Sequence, residues 1–323
     1  MSTPHYQVSR DAARALEEFS TELFAALATA PKDQWATRFG LSATGRFKKT
    51  FPIPIHDIQL RERDGGDQFT SMYQRSLSMV PREYQFGVEE KASVIEAPDF
   101  IGWPNVPARF AQKVTEHPNK LVAAMLEANP NLGFYASPED GLASTTALFA
   151  DAHPVNVLDG SKGTFDNDQG TSTIDSALMS AAITRFLTRK SVEGENMNLR
   201  LSHVLAPPAL AEAWKNLLES DHVLTALSQT GTEGSAAGWT NNRHKNLVEL
   251  VVVPEFTSDD VFYFLADNGP PPWVTQAAEA PEELRFDKDS DHYKKTGKVA
   301  VSWVHTAAAA ACLPHAIERV TVA

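Results

Sequence analysis

Residues 51–95 read FPIPIHDIQLRERDGGDQFTSMYQRSLSMVPREYQFGVEEKASVI. Two arms meet at Asp64-Gly65-Gly66-Asp67, where paired glycines supply the positive φ that a reversing turn needs, so the stretch is a predicted hairpin. Its apolar residues alternate only loosely with charges: Ile53, Ile55, Ile58 and Leu60 on one arm, Phe69, Met72 and Leu77 on the other. A two-stranded hairpin is marginal in water by itself, so this one needs a surface to lie on. Either it packs at the edge of its own domain or a neighbouring copy covers it.

Toward the N-terminus, Ala12, Ala15, Leu16, Phe19, Leu23, Phe24 and Leu27 fall at helical spacing between Arg10 and Ala30, and Pro31 ends the run. The stretch KDQWATRFGLSATGRFKKT that follows mixes apolar anchors with turn and basic residues and reads as an arm crossing a surface. Residues 1–50 are therefore expected to be an extension and not part of a core.

On the other side of the hairpin, Trp103-Pro104-Asn105 opens a long helical pattern through Val106, Phe110, Val114, Leu121, Val122, Met125 and Leu126, with a kink or break expected at Pro118. Residues 131–172 are rich in Asn, Asp, Gly, Ser and Thr and read as loops around one or two short strands. From Ser172 to Thr275 the pattern becomes an α/β unit. It has a helix over Ile174 to Lys190, a strand LRLSHVLAP, a helix PPALAEAWKNLLES with proline in its first turn, a Gly-rich loop SQTGTEGSAAGWTNN, and strands NLVELVVVP and DVFYFLAD. The tail from Lys298, VAVSWVHTAAAAACLPHAIERVTV, suits strands of a central sheet.

Composition narrows the function. Of 323 residues 42% are hydrophobic and 22% charged, the profile of a folded, water-soluble chain long enough for two domains. A formal charge of −12 argues against a protein that grips phosphate backbones. No run is long enough to span a bilayer and no signal peptide is expected, so the protein should stay where it is made. Cys312, the single cysteine, excludes an internal disulfide and a thiolate metal cage, and AAAACLP suits a buried structural thiol.

Catalytic and ligand motifs fail on their context. TGTEGSAAG lacks the Gly-Lys-Ser/Thr of a phosphate loop and follows a helix. Asp166-Asn167-Asp168-Gln169-Gly170 imitates the start of a calcium loop, but Ala177 stands where the bidentate glutamate belongs. Ten histidines show no metal-ligand spacing, and no Gly-x-Ser-x-Gly elbow accompanies the serines. No catalytic residue, cofactor or metal is expected. Extensions, a long hairpin and a long helix each need partners, and obligate contacts of that kind bury ~2,000–5,000 Å².

The order and spacing of several segments resemble the major head subunits of Mu-like tailed bacteriophages, members of the Hong Kong ninety-seven phage capsid fold. They are LFAALATAPKDQWATRF and GRFKKTFPIPI, LFADAHPVN, LSHVLAPPALAEAWKNLLES, ELVVVPEF, DVFYFLADNGPPPWV and HTAAAAACLPHAIERV. The resemblance implies an α+β fold with an N-arm (1–50), an extended loop (51–93), a peripheral domain with a long spine helix (94–171), an axial α/β domain (172–275) and a return to the peripheral domain (276–323). It implies pentamers and hexamers of an icosahedral virion shell enclosing double-stranded DNA without sequence-specific binding. The implied partners are further copies, a separate scaffolding protein, a portal and a decoration protein. No membrane is involved, and assembly takes place in the host bacterial cytoplasm. Inter-subunit contacts would fall on Arg61, Glu62, Arg63, Asp64, Asp67, Arg75, Arg82 and Glu83 of the loop, and the capsomer axis on Gly231, Gly234, Gly238 and Trp239. Lys91 is the only lysine between Thr50 and Lys113, so a covalent crosslink is not expected and the shell should be non-covalent. An encapsulin-like compartment, or an α/β enzyme in residues 172–275, would be the alternatives.

Overall fold

The computed structural model describes residues 4–29, 34–54, 74–95, 105–133, 146–156, 160–226 and 237–323. In chain order the elements begin with α1 (Pro4–Thr29), α2 (Trp35–Phe39), β1 (Leu41–Thr44), β2 (Lys49–Pro54), β3 (Gln74–Met79), β4 (Arg82–Lys91), α3 (Ala92–Ile95) and α4 (Val106–Ala128). They continue with β5 (His153–Pro154), β6 (Thr164–Phe165), β7 (Asp168–Ser172), α5 (Ser176–Thr188), β8 (Leu201–Ala206), α6 (Ala211–Glu219), β9 (His222–Ala226) and β10 (Ala237–Asn241). The last are β11 (Glu249–Val252), β12 (Val261–Ala266), β13 (Trp273–Ala277), β14 (Glu282–Phe286), α7 (Asp291–Thr296), β15 (Lys298–Ala311) and β16 (Ile317–Val322). The chain divides into two units: residues 1–49, 79–121 and 275–309, and residues 50–78, 122–274 and 310–323.

The first unit is organised by β15. Its apolar run lets it be paired on both edges: β4 lies antiparallel to it from Lys298↔Lys91 to Ala307↔Arg82, and β14 from Glu282↔Val304 to Phe286↔Ala300. β13 and then β1 complete the sheet. Strand alternation sends Val299, Val301 and Trp303 to one face, where they form a core with Leu16, Phe19 and Leu23 of α1 and Phe110 and Ala111 of α4. Trp303 is its centre, with ring centroids 5.1 Å from Phe19 and 5.7 Å from Phe110. The N-terminal helix is thus core, contrary to the expected extension: Leu16, Phe19 and Leu23 sit at the spacing that gives a helix one buried stripe, and the sheet supplies the surface.

α4 continues through Pro118 where a kink or break was expected. Proline removes one backbone donor and crowds the turn before it. Side chains on either side of Pro118 join α4 to the start of α2: Gln34 Nε2 donates to the Thr115 carbonyl at 2.9 Å, and Asn119 Oδ1 accepts the Ala36 N–H at 3.2 Å.

The second unit holds a sheet of order β11-β8-β12-β16-β7. β11 is parallel to β8 and β7 to β16, while the β8/β12 and β12/β16 ladders are antiparallel. One face of the sheet carries Val204, Phe262, Phe264 and Val320 against Leu178, Met179, Ala182 and Phe186 of α5 and Trp214, Leu217 and Leu218 of α6. Trp214 stands edge-on to Phe262 at 4.9 Å. The α/β reading of residues 172–275 thus describes most of this layer, but two of its strands come from outside: β7, from a stretch read mainly as loop, and β16, from the chain end. Residues 276–323, expected to return together to the peripheral domain, divide between the units after Ala309. Glu127 in the last turn of α4 ties this unit to its own loop, accepting the N–H groups of Thr257 and Ser258 at 2.6 and 2.9 Å.

Candidate assembly surface

The quoted hairpin stretch splits. β2 and β3 pair as its stem, whereas β4, read as the rest of the second arm, leaves it and joins the sheet of the first unit. Val80-Pro81 marks the break, since proline cannot donate to a ladder. Tyr84, Phe86 and Val88 then fall on alternate positions, partly buried, and Phe86 stacks on Phe110 at 4.6 Å.

This settles where two of the expected contact residues lie. Arg82 and Glu83 are exposed at the start of β4, in register with Ala307 and Thr306. Arg75 belongs to β3. Arg61, Glu62, Arg63, Asp64 and Asp67 lie outside the described residues, as do the turn glycines at 65 and 66. Of the expected axis residues, Gly231 and Gly234 also lie outside them. Gly238 and Trp239 belong to β10, opposite Thr225 and Leu224 of β9. β9 and β10 are antiparallel, with the end of the stretch read from the sequence as a Gly-rich loop paired as a strand.

Electrostatics on the first unit's sheet is concentrated at Glu89. Lys298 donates to it and His292 lies 3.4 Å away, and the hydrogen bond from Lys298 holds its carboxyl below the usual range. On the second unit the charges are buried. Glu318, fully buried on β16, accepts Arg185 Nε and Nη2 at 3.2 and 2.9 Å and also Arg189, which is 4% exposed. Arg189 also donates to the carbonyl of His315 at 2.9 Å. Burial pushes His315 down to about 3 and His153 to about 4, so both imidazoles are neutral beside these cations. Sequence reading passed over this cluster, although Arg185 in the last turn of α5 and Arg189 at its C-cap lie four residues apart, with Glu318 the only carboxylate side chain in the apolar tail.

These groups are structural in their wiring. Asn167, fully buried, accepts the Ala150 N–H at 3.0 Å and donates to the Leu148 carbonyl at 2.8 Å, and Asp168 pairs with Arg319. The side chains that imitate a calcium loop are thus committed to the fold. Burial raises the Cys312 thiol to about 11, away from nucleophilic chemistry. Among the described residues no group of three or more His, Cys, Asp or Glu could hold a metal ion, and no helix is long and apolar enough to cross a membrane.

Solved structures carry a similar fold. The chain is similar to a chain of the capsid of bacteriophage JBD30 decorated with minor capsid protein trimers, at 14% identity, TM-score 0.52, covering 72% of this chain and 93% of that one. It is similar to a chain of Microbacterium phage Oxtober96 at 13% identity, TM-score 0.50, covering 90% and 91%, and to one in the asymmetric unit of the bacteriophage PhiM1 mature capsid at 10% identity, TM-score 0.50, covering 90% and 87%. The fold is therefore that of tailed-phage capsid chains. No curated protein matches the sequence.

The model of a family described as phage capsid protein matches residues 93–320. The chain belongs to this family. Its work is structural: it is a subunit of a capsid shell and its place is the virion.

Proposed function

We propose that this chain is the major head subunit of a Mu-like tailed phage. Copies join as pentamers and hexamers into an icosahedral shell that encloses double-stranded DNA, and the contacts between them are non-covalent. The observation that carries this reading is a family match over residues 93–320 in a chain whose preceding segment closes into the stem of a charged hairpin. Residues 1–50 act as the N-arm, with α1 packed on the first unit's sheet, 51–93 as the extended loop, with β4 anchoring its second arm in that sheet, 94–171 as the peripheral domain with α4 as its spine, and 172–275 as the axial domain. Residues 276–323 return to the peripheral domain, with β16 lent to the axial sheet. The loop charges Arg61, Glu62, Arg63, Asp64, Asp67, Arg75, Arg82 and Glu83 set partner and register, each worth about 0–1 kcal/mol while exposed and more in sum over many copies. The segment from β9 through β10, with Gly231, Gly234, Gly238 and Trp239, lies at the capsomer axis. Support for a non-covalent shell comes from the scarcity of lysine in the loop, where Lys91 is the only one between Thr50 and Lys113. Assembly proceeds in the host bacterial cytoplasm on a separate scaffolding protein, with a portal and a decoration protein as further partners.

The test compares the full chain with a variant in which residues 55–73 are replaced by a short Gly-Ser linker, which spares β4. Negative-stain microscopy and light scattering, with and without the scaffolding protein, are expected to show shells or capsomer rings from the full chain alone. Equal assembly by both chains would remove the hairpin from the mechanism.

A further inference from the structure

We propose that Phe47 anchors one copy of this chain to a second, its ring seating in an apolar cleft on the second copy's first unit. The inference rests on the capsid reading above, which requires copies to touch but does not say through which residues.

Phe47 is 85% exposed, yet its turn is firmly built. The Gly45 N–H donates to the Ala277 carbonyl at 3.0 Å, and Gln276, only 1% exposed, donates through Nε2 to the carbonyls of both Gly45 and Phe47 at 2.9 and 2.8 Å. Arg46 pairs with Glu282 and donates to the Ala280 carbonyl at 3.2 Å, and Lys49 donates to the Thr44 carbonyl. Both sides of Phe47 are thereby pinned while the ring itself stays in water. Holding an apolar ring in one place before a partner arrives removes much of the ordering entropy that binding otherwise costs, and buried aromatic anchors dominate interface energetics.

The same unit contains a cleft of about 720 Å³ whose apolar wall includes Phe24, Leu27, Val114 and Pro118. That is ample for a ring, and Phe24 itself is 43% exposed. The chain's own Phe47 is not among the residues lining it. Charge selects a second copy as the occupant. Phe47 is followed by Lys48, which is exposed, while Glu279 is the charged residue among the described lining residues, Glu17 and Glu22 are exposed on α1, whose Phe24 and Leu27 line the cleft, and the whole chain carries −12. A cation-flanked ring and an acid-marked apolar cleft on one sequence form a self-complementary pair.

Cysteine pairing tests this. Full-length Phe47→Cys and Leu27→Cys would be placed on separate chains, one carrying a mass tag, mixed under assembly conditions and oxidised. Native Cys312 is 4% exposed and stays silent. A covalent heterodimer is expected, absent when Leu187→Cys in the second unit replaces Leu27→Cys. Phe47→Ala is expected to keep the wild-type melting temperature and lower particle yield ~10-fold or more, the weight of a hot-spot ring. Lys48→Glu is expected to lower the yield and Glu279→Lys in the same chain to restore it. Normal yield from Phe47→Ala with no heterodimer overturns the proposal and leaves the capsid reading standing. Should the wild type form no shells, the capsid reading fails, while the heterodimer still decides the proposal because it needs only two copies in contact.

Discussion

At Glu318 two guanidinium groups converge on one buried carboxylate, and Arg189 is itself shut away from water. Removing one member of such a cluster leaves uncompensated charge in a low-dielectric interior, so Glu318→Gln is expected to cost about 3–5 kcal/mol in a denaturant titration. The half-exposed pair Arg46–Glu282 should be worth about 0–1 kcal/mol by the same measurement. Buried imidazoles give the molecule an acid edge. His153 and His305 are held near 4 and His315 near 3 chiefly by burial, whereas the unfolded chain protonates them near 6.5. The unfolded state therefore binds more protons below that value. Stability is complete above about pH 6.5 and is lost progressively as pH falls toward 4 and then 3, by up to ~1.4 kcal/mol per pH unit per group. Melting curves between pH 7 and 4 should follow that slope, and His315→Phe should flatten it.

At the scale of elements, legibility in the sequence followed how much of each element's pairing is local. α5, α6, β8, β11 and β12 were readable because helical spacing and apolar runs are written in the residues that form them. What was missed needs a partner far along the chain. β4 looked like one arm of a hairpin because its charged alternation is the same whether its neighbour is β3 or β15. α1 looked like an arm because nothing in its own residues names the sheet that buries it. β14, half-exposed with three charges in five residues, has no apolar run to reveal it. α7 was missed although Ser290 caps it, accepting the Tyr293 N–H at 3.2 Å, and Gly297 ends it at φ 72, both of which are sequence signals. Of the expected site, Arg75, Arg82, Glu83, Gly238 and Trp239 can be located, while Phe47 was hidden because exposure is not written in a residue's type. One tight joint offers a check on packing. A Cβ on Gly269 would meet Ala316 Cβ at 2.9 Å and Leu199 at 3.0 Å, so Gly269→Ala is expected to lower stability by about 1–3 kcal/mol in thermal unfolding.

For the whole molecule, a charge of −12 and a chain built from a hairpin stem and two sheet-and-helix units make sense when many copies share one shell. Acidic copies repel one another at low ionic strength, and the proposed contacts join them through local apolar seats with opposite charge at the rim. Moderate salt, which screens the general repulsion over about 8–10 Å, should therefore speed assembly up to the point where the rim pairs are screened as well. Light scattering against salt concentration reads this directly, as a maximum and not a steady fall. The central claim is that the chain closes into shells, and cryo-electron microscopy of the purified full-length protein, under assembly conditions with and without a candidate scaffolding protein, tests it most directly. The expected images are closed particles with clusters of five and six copies. A uniform population of monomers or dimers under every assembly condition would contradict the account.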